Sequence, residues 1–278
     1  MNSSIERMIS TLLVDNQAKD TLRGTDRVLN SKSKQVRESA SALLVIAGEG
    51  CGFSSYGRVY SAIVDASISQ PIRGAATFLE LVFPKDNESD EKLFFASPRR
   101  TASIRNRFYG TMLISLKEYG GQDLIKSESF IHLLEFVELN KANIHFLFHI
   151  LPRFDARDQL IVRLQDIVNI TEVFLDKPNV ENSYVYVISK LKSQGYVIGE
   201  TAQMCLREKV LPNVISRKTY TGYRSLNNLL DRLNIEVAMM PENEEMVVSE
   251  HVLDSLIVKF EKEKQLSESE APQIGFGR

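Results

Sequence analysis

Leu226, Leu229, Leu230 and Leu233 fall at i, i+3, i+4 and i+7 behind Ser225, and the chain then alternates Ile235, Val237 and Met239. Four leucines on one stripe demand a helix with one buried face, set on a core of its own. The alternation that follows predicts a strand. Pro241-Glu242-Asn243-Glu244 predicts a turn, and Met246-Val247-Val248 a returning strand. Upstream, Val185, Ile188 and Leu191 give a helix closed at Gly195, and Ala202 and Leu206 lie one turn apart on another. Three helices closed by a hairpin outline a winged helix-turn-helix over residues 183–250.

The rest of the chain reads as mainly α with small β-hairpins. Ile5, Met8, Ile9, Leu12 and Leu13 recur at helical spacing. Residues 40–47 are expected to form a buried helix stopped by Gly48, Gly50 and Gly52. A capped helix with Val59, Ile63 and Val64 follows, then TFLELVF and Leu93-Phe94-Phe95 as a hairpin with an acidic tip. Residues 1–100 thus form an N-terminal α+β region, in which 38–97 has the outline of a winged-helix-like unit. An α+β unit of another kind would look the same. From Ile104 to Leu175 the pattern is helical almost throughout, with Phe130, Leu133, Leu134 and Val137 repeating on one face, and Leu160, Leu164, Ile167 and Val168 on another. Residues 101–178 are therefore expected to be a helical middle region, and 251–278 a short helix with a charged, disordered tail.

The segment ISKLKSQGYVIGETAQMCLRE, continued by YTGYRSLNNLLDRLNIEVAMMPENEEMVV, resembles the LOTUS (OST-HTH) winged-helix domains. The likeness lies in Gly195, in Tyr220, Gly222 and Tyr223 leading into Ser225-Leu226, in Leu229-Leu230 and in the closing strands. It implies an RNA-binding or helicase-recruiting module. It leaves residues 1–180 unexplained, and no nuclease domain is found beside it.

Bulk properties exclude more than they assert. A net charge of −2 rules out a chain that binds polyanions over its whole surface, so any nucleic-acid contact must be a local patch. Cys51 and Cys205 are far apart and belong to no CxxC pair, which suits a reducing compartment and argues against zinc ribbons. No apolar run reaches the length of a membrane span. A cytoplasmic protein is expected.

Arg99, Arg100, Arg105 and Arg107 stand in a stretch of nine residues without an acid, before a helix, where guanidiniums and free N–H groups can grip phosphate. Pairing with the acids of the 86–91 loop is the plainer reading. Arg217, Lys218, Tyr220 and Arg224, with Tyr223, mix cations and rings as single-stranded nucleic acid requires, against the alternative that the tyrosines pack the module's own core. Glu242, Glu244 and Glu245 at the wing tip argue against a wing on phosphate. His145 and His149 lack the glutamate and third ligand of a zinc site. Asp15 follows an apolar run without supporting carboxylates. Cys51 lies in the glycine-rich GEGCGF, where a reactive thiol and an inert buried one are the two readings. No phosphate-cradling GxxxxGK[ST] and no GxSxG is present. The expectation is a non-enzymatic, nucleic-acid-associated adaptor, RNA favoured over DNA, with no cofactor and no metal. The alternative is a protein-interaction or assembly module, with a protein partner or a second copy.

Overall fold

The computed structural model describes residues 3–38, 40, 42–67, 78–83, 110–117, 121–240 and 246–269. The chain divides into two compact units, Met1–Asp176 and Lys177–Arg278.

The first unit opens with α1 (Ser3–Thr11), α2 (Asn16–Leu29) and α3 (Lys34–Glu38). Then come β1 (Ala42–Ala47), α4 (Phe53–Ser67), β2 (Phe78–Val82) and β3 (Gly110–Ser115). It continues through α5 (Gly121–Lys126), α6 (Glu128–Asn140), β4 (Ile144–Ile150), α7 (Arg157–Gln165) and β5 (Ile170–Leu175). The five strands make one sheet in the order β2-β3-β4-β1-β5, every pair parallel. In β1, Leu43 pairs with Leu147 on one side and Thr171 on the other.

This α/β architecture replaces the expected mainly α fold. Residues 40–47 contain a strand, not a helix, and the middle region carries three more, including Met112 to Ser115 and the run IHFLFHI. The physical reason is burial on both faces. All six residues of β1 and of β3 are buried, so these strands show continuous apolar runs and no alternation. Phe78–Val82, read as the first strand of a hairpin, pairs parallel to β3; its expected partner Leu93–Phe95 lies outside the described residues.

Two apolar layers sandwich the sheet. On one face Leu44, Ile46, Met112, Ile114, Phe146 and Phe148 pack against Leu124, Phe130, Leu133, Leu160 and Leu164 of α5, α6 and α7. On the other, Leu43, Val45, Leu113 and Leu147 meet Ile9, Leu22, Tyr56, Tyr60 and Ile63 of α1, α2 and α4. Each such side chain, taken out of water, stabilises the fold by about 1.5–3 kcal/mol before entropy is charged against it. Helix starts are specified locally. Asp15 caps α2 by accepting from Ala18 N at 2.6 Å, and Ser127 caps α6 by accepting from Phe130 N at 3.1 Å.

The second unit holds α8 (Val180–Ser193), β6 (Val197–Ile198), α9 (Glu200–Cys205) with a π turn at Leu206–Val210, α10 (Leu211–Ile215), α11 (Tyr223–Ala238), β7 (Val247–Val248) and α12 (Glu250–Ser269). The leucine stripe is where its spacing puts it: Leu226, Leu229, Leu230 and Leu233 of α11 are all buried. The winged-helix hairpin is not formed. Val237 lies four residues past Leu233 and extends the same buried stripe, while Ile235 is exposed, so the helix runs through the segment read as a strand. β7 pairs with β6 in parallel. Residues 241–245, the expected wing tip, lie outside the described residues.

Candidate functional site

In an open parallel sheet, ligands bind at the carboxyl ends of the strands, where loops lead into helices. Here β1 ends at Ala47, and Gly48-Glu49-Gly50-Cys51-Gly52 leads directly into α4 at Phe53. Gly50 and Gly52 adopt φ of 75° and 86°, left-handed backbone that side-chain-bearing residues resist. Strand, glycine loop and helix start form the backbone frame that holds phosphates by N–H groups.

Set against the phosphate-loop pattern GxxxxGK[ST], positions 47–54 read Ala47, Gly48, Glu49, Gly50, Cys51, Gly52, Phe53, Ser54. The final glycine and the serine are in place. Alanine stands for the first glycine, and Phe53 stands where the lysine would be.

Three side chains close around that position. The Phe53 ring stacks on His149 at the end of β4, centroids 3.9 Å apart and planes within 9°. His149 is buried, and its Nε2–H donates to the carbonyl of Ala47 at 2.9 Å. A carbonyl can only accept, so the neutral ring presents Nδ1 as an acceptor, and the Ser115 hydroxyl donates to it at 2.8 Å. Burial holds the His149 pKa below the usual imidazole value, and Lys117 adds to the lowering; the Ala47 bond and Glu80 pull the other way. Ser115 ends β3. Ser54 donates to Glu80 of β2 at 2.7 Å.

A nucleotide with magnesium is what this frame implies, and the residues fit only half of it. The backbone cradle suits phosphate. For the cation, Ser54 with Glu80 supplies one hydroxyl and one carboxylate, while Ser115 and His149 are neutral and bonded to each other. Among the described residues no group of three His, Cys, Asp or Glu converges.

The other residues singled out in the sequence fall elsewhere. His145 and His149 share one face of β4, but on a strand that spacing is about 13 Å, not one helical turn. His145 packs edge-on to Tyr60, and burial lowers its pKa to about 4. Asp15 is a helix cap. Cys51 is buried in the loop. Arg99, Arg100, Arg105 and Arg107 lie outside the described residues. In the second unit Arg217 pairs with Glu263 at 3.5 Å and lies over the Phe260 ring at 4.2 Å. Tyr220 is buried, its hydroxyl donating to the Pro178 carbonyl at 2.8 Å. Lys218 and Arg224 are exposed, Arg224 in the first turn of α11. Phe53, Ser115 and Glu80 were not anticipated. The signal that identifies Phe53 is its place after Gly52, once residues 42–47 are taken as a strand.

No protein-family profile matches the chain, and no curated protein matches it in sequence. Solved structures do match in shape. Domain III of the Thermotoga maritima replication initiation protein DnaA superposes with a TM-score of 0.56 at 14% identity, covering 91% of this chain and 95% of that one. PCH-2 of C. elegans gives 0.57 at 12% identity, covering 95% and 72%. The Thermotoga maritima RuvB Holliday junction branch migration motor gives 0.56 at 12%, covering 90% and 69%. The chain shares the α/β fold of these domains. This overturns the LOTUS winged-helix resemblance, and with it the expectation of a regulatory winged helix. The expectation of a non-enzymatic RNA adaptor is overturned on the same ground, the fold shared with a replication initiation protein and a branch migration motor. Among the described residues, no helix is long and apolar enough to cross a membrane.

Proposed function

We propose that this chain is a nucleotide-binding module of the ATPase-like kind, in which the loop between β1 and α4 receives the phosphates of a nucleotide. The observation that carries the reading is the left-handed pair Gly50 and Gly52, placed between the buried strand β1 and the start of a 15-residue helix. The AAA+ fold supports it. Phe53 stands where the lysine would act, so phosphate release from the isolated chain is expected to be slow. Photolabelling with an azido-nucleotide, with the modified peptide identified by mass, tests the reading. Label competed by unlabelled nucleotide and confined to the first unit supports it; no competable label on the chain removes it.

Partners belong to the same proposal. Ile131 and Leu139 of α6, Val162 of α7 and Phe174 of β5 are large apolar side chains left exposed, which supports contact with a second copy or another protein. Light scattering over a concentration series tests this, and a strict monomer at every concentration argues against a second copy. A nucleic-acid partner is supported by the exposed Lys218 and Arg224; binding that weakens steeply with salt is the expected signature. A reducing, cytoplasmic setting is proposed from Cys51 and Cys205, both buried as thiols.

A further inference from the structure

We propose that the cavity between α10, α11 and α12 of the second unit binds a phosphate dianion, free or as the terminal phosphate of a small monoester, and that the Glu263 carboxylate occupies its arginines until the dianion arrives. The cavity measures about 230 Å³, and its lining belongs wholly to the second unit. Among the described residues that line it are two arginines, Arg217 and Arg232, with Thr219, Ser225 and Asn228 as further polar groups, and no carboxylate. Two positive charges held side by side repel, and an anion between them relieves the repulsion.

One ring sets both guanidiniums in place. Cζ of Arg217 lies 4.2 Å from the centre of Phe260, and Cζ of Arg232 lies 5.3 Å from it. Guanidiniums stacked on a ring lose less freedom when an anion binds, and their planar forks match phosphate oxygens. The loop that carries Arg217 and Thr219 is pinned as well. Lys177 Nζ donates to the Tyr220 carbonyl at 2.6 Å, the Tyr220 hydroxyl donates to the Pro178 carbonyl at 2.8 Å, and the Thr221 N–H donates to Ser225 Oγ at 2.9 Å. The site is therefore formed in advance of its ligand.

The pairing inside the chain is incomplete. Glu263 accepts from Arg232 Nη1 at 2.7 Å but reaches Arg217 Nη1 only at 3.5 Å. Arg217 also donates to Asn213 Oδ1 at 3.5 Å, again the outer limit of a hydrogen bond. One carboxylate against two guanidiniums leaves a positive charge unmatched. The side chains of Arg232 and Glu263 are 44% and 46% exposed, so solvent screens their pair and holds it weakly. A free monocarboxylate could only replace Glu263, which is tethered at the spot and has the advantage. A dianion pairs with both guanidiniums at once, and this selects phosphate. A nucleic-acid backbone is the poorer occupant, because the ring is already taken by guanidiniums and Glu263 repels a row of phosphates.

The experiment titrates the full chain, labelled with nitrogen-15, with inorganic phosphate at constant ionic strength. It follows the Nε–H signals of Arg217 and Arg232 and the side-chain amide of Asn228. Expected are a saturable shift of all three, no saturable shift with acetate, and binding tightened roughly fivefold in Glu263→Gln, the most that an exposed ion pair is worth. Glycerol phosphate run in parallel names the source: tighter binding than inorganic phosphate assigns the site to a monoester, and equal or weaker binding assigns it to the free ion. In the double variant Arg217→Gln, Arg232→Gln the Asn228 shift is expected to vanish from a chain that melts like the parent. No saturable shift in both the parent and Glu263→Gln, an equal response to acetate, or binding no tighter in Glu263→Gln overturns the proposal. A single-stranded oligonucleotide that moves these signals where phosphate does not also overturns it, and gives the pocket to nucleic acid. Should the double variant fail to fold, the titrations of the parent and of Glu263→Gln decide alone.

Discussion

Replacing His149 by alanine removes the piece that ties the ends of three strands to the loop. The ring donates to Ala47, accepts from Ser115 and stacks on Phe53. Each hydrogen bond is worth roughly 1 kcal/mol net, and the ring pair about 0.5–1.5 kcal/mol. The sum is about 3 kcal/mol, at the upper end of what single substitutions cost. Ser115→Ala loses one of these bonds and is expected to cost about 1 kcal/mol. The cost should be felt at the loop first, which makes Cys51 a local reporter, because its thiol lies within the loop and is 3% exposed. At about 1.4 kcal/mol per factor of ten, His149→Ala is expected to speed thiol labelling of Cys51 by roughly a hundredfold, and Ser115→Ala by less than tenfold. Peptide mass spectrometry separates Cys51 from Cys205, which belongs to the other unit. A double-mutant cycle with Phe53→Ala then isolates the stack, with a coupling of about 1 kcal/mol expected from urea unfolding. Equal labelling rates in His149→Ala and Ser115→Ala, or a coupling indistinguishable from zero, would refute the account of a ring that clips the loop.

Three further outcomes follow from the same coordinates. His145 has its folded pKa lowered to about 4 by burial, so protonation favours the unfolded chain, whose histidine titrates near 6.5. Its contribution is complete above that value and is lost as pH falls toward 4, by up to about 1.4 kcal/mol per pH unit. Urea midpoints measured across this window should fall less steeply in His145→Leu, and parallel slopes would count against a buried neutral ring. A methyl group at Gly121 would meet the Ala156 backbone nitrogen at 2.5 Å and Asp155 Oδ1 at 2.4 Å, so Gly121→Ala is expected to cost about 2–3 kcal/mol by thermal melting. Asp15→Ala, which removes the α2 cap, is expected to cost about 1 kcal/mol without altering nucleotide binding.

How much of this was legible depended on which period each segment carried. The α11 stripe and the faces of α6 and α7 could be read, because a helix with one wet side must show its 3.6-residue period. The central strands could not be read that way. ALLVIA and GTMLIS are covered on both faces, and a short apolar run without alternation does not distinguish a strand from a buried helix. Their lengths of six residues, with glycines directly beyond Ala47, were the available tie-breakers. The strand after Leu233 was misread for the opposite reason: Ile235, Val237 and Met239 alternate, but only Val237 is buried, as the next position on the helical stripe. The loop at 47–54 escaped because Phe53 stands where the pattern's most informative letter, the lysine, would be.

That substitution is better understood as part of a set than as a lost residue. Removing a lysine from a phosphate site would leave a hole lined by unpaired polar atoms, and buried polar groups without partners cost about 1–3 kcal/mol each. The groups found here satisfy one another instead. Phe53 covers the face of His149, Ser115 gives its proton to Nδ1, and Nε2–H goes to the carbonyl at the root of the loop. Three positions on α4, β3 and β4 would have to be chosen together for this to work, because any one alone fails: histidine without serine leaves Nδ1 unbonded, and histidine without phenylalanine leaves an imidazole face open. Mutual satisfaction holds the root of the loop in place. The glycine turn at Gly50 and Gly52 is thus already formed, and a shape already formed need not be assembled at the moment of binding. Under the nucleotide reading proposed above, the ring stack of Phe53 and His149 does beforehand, for the root of the loop, what the missing lysine would do around a ligand.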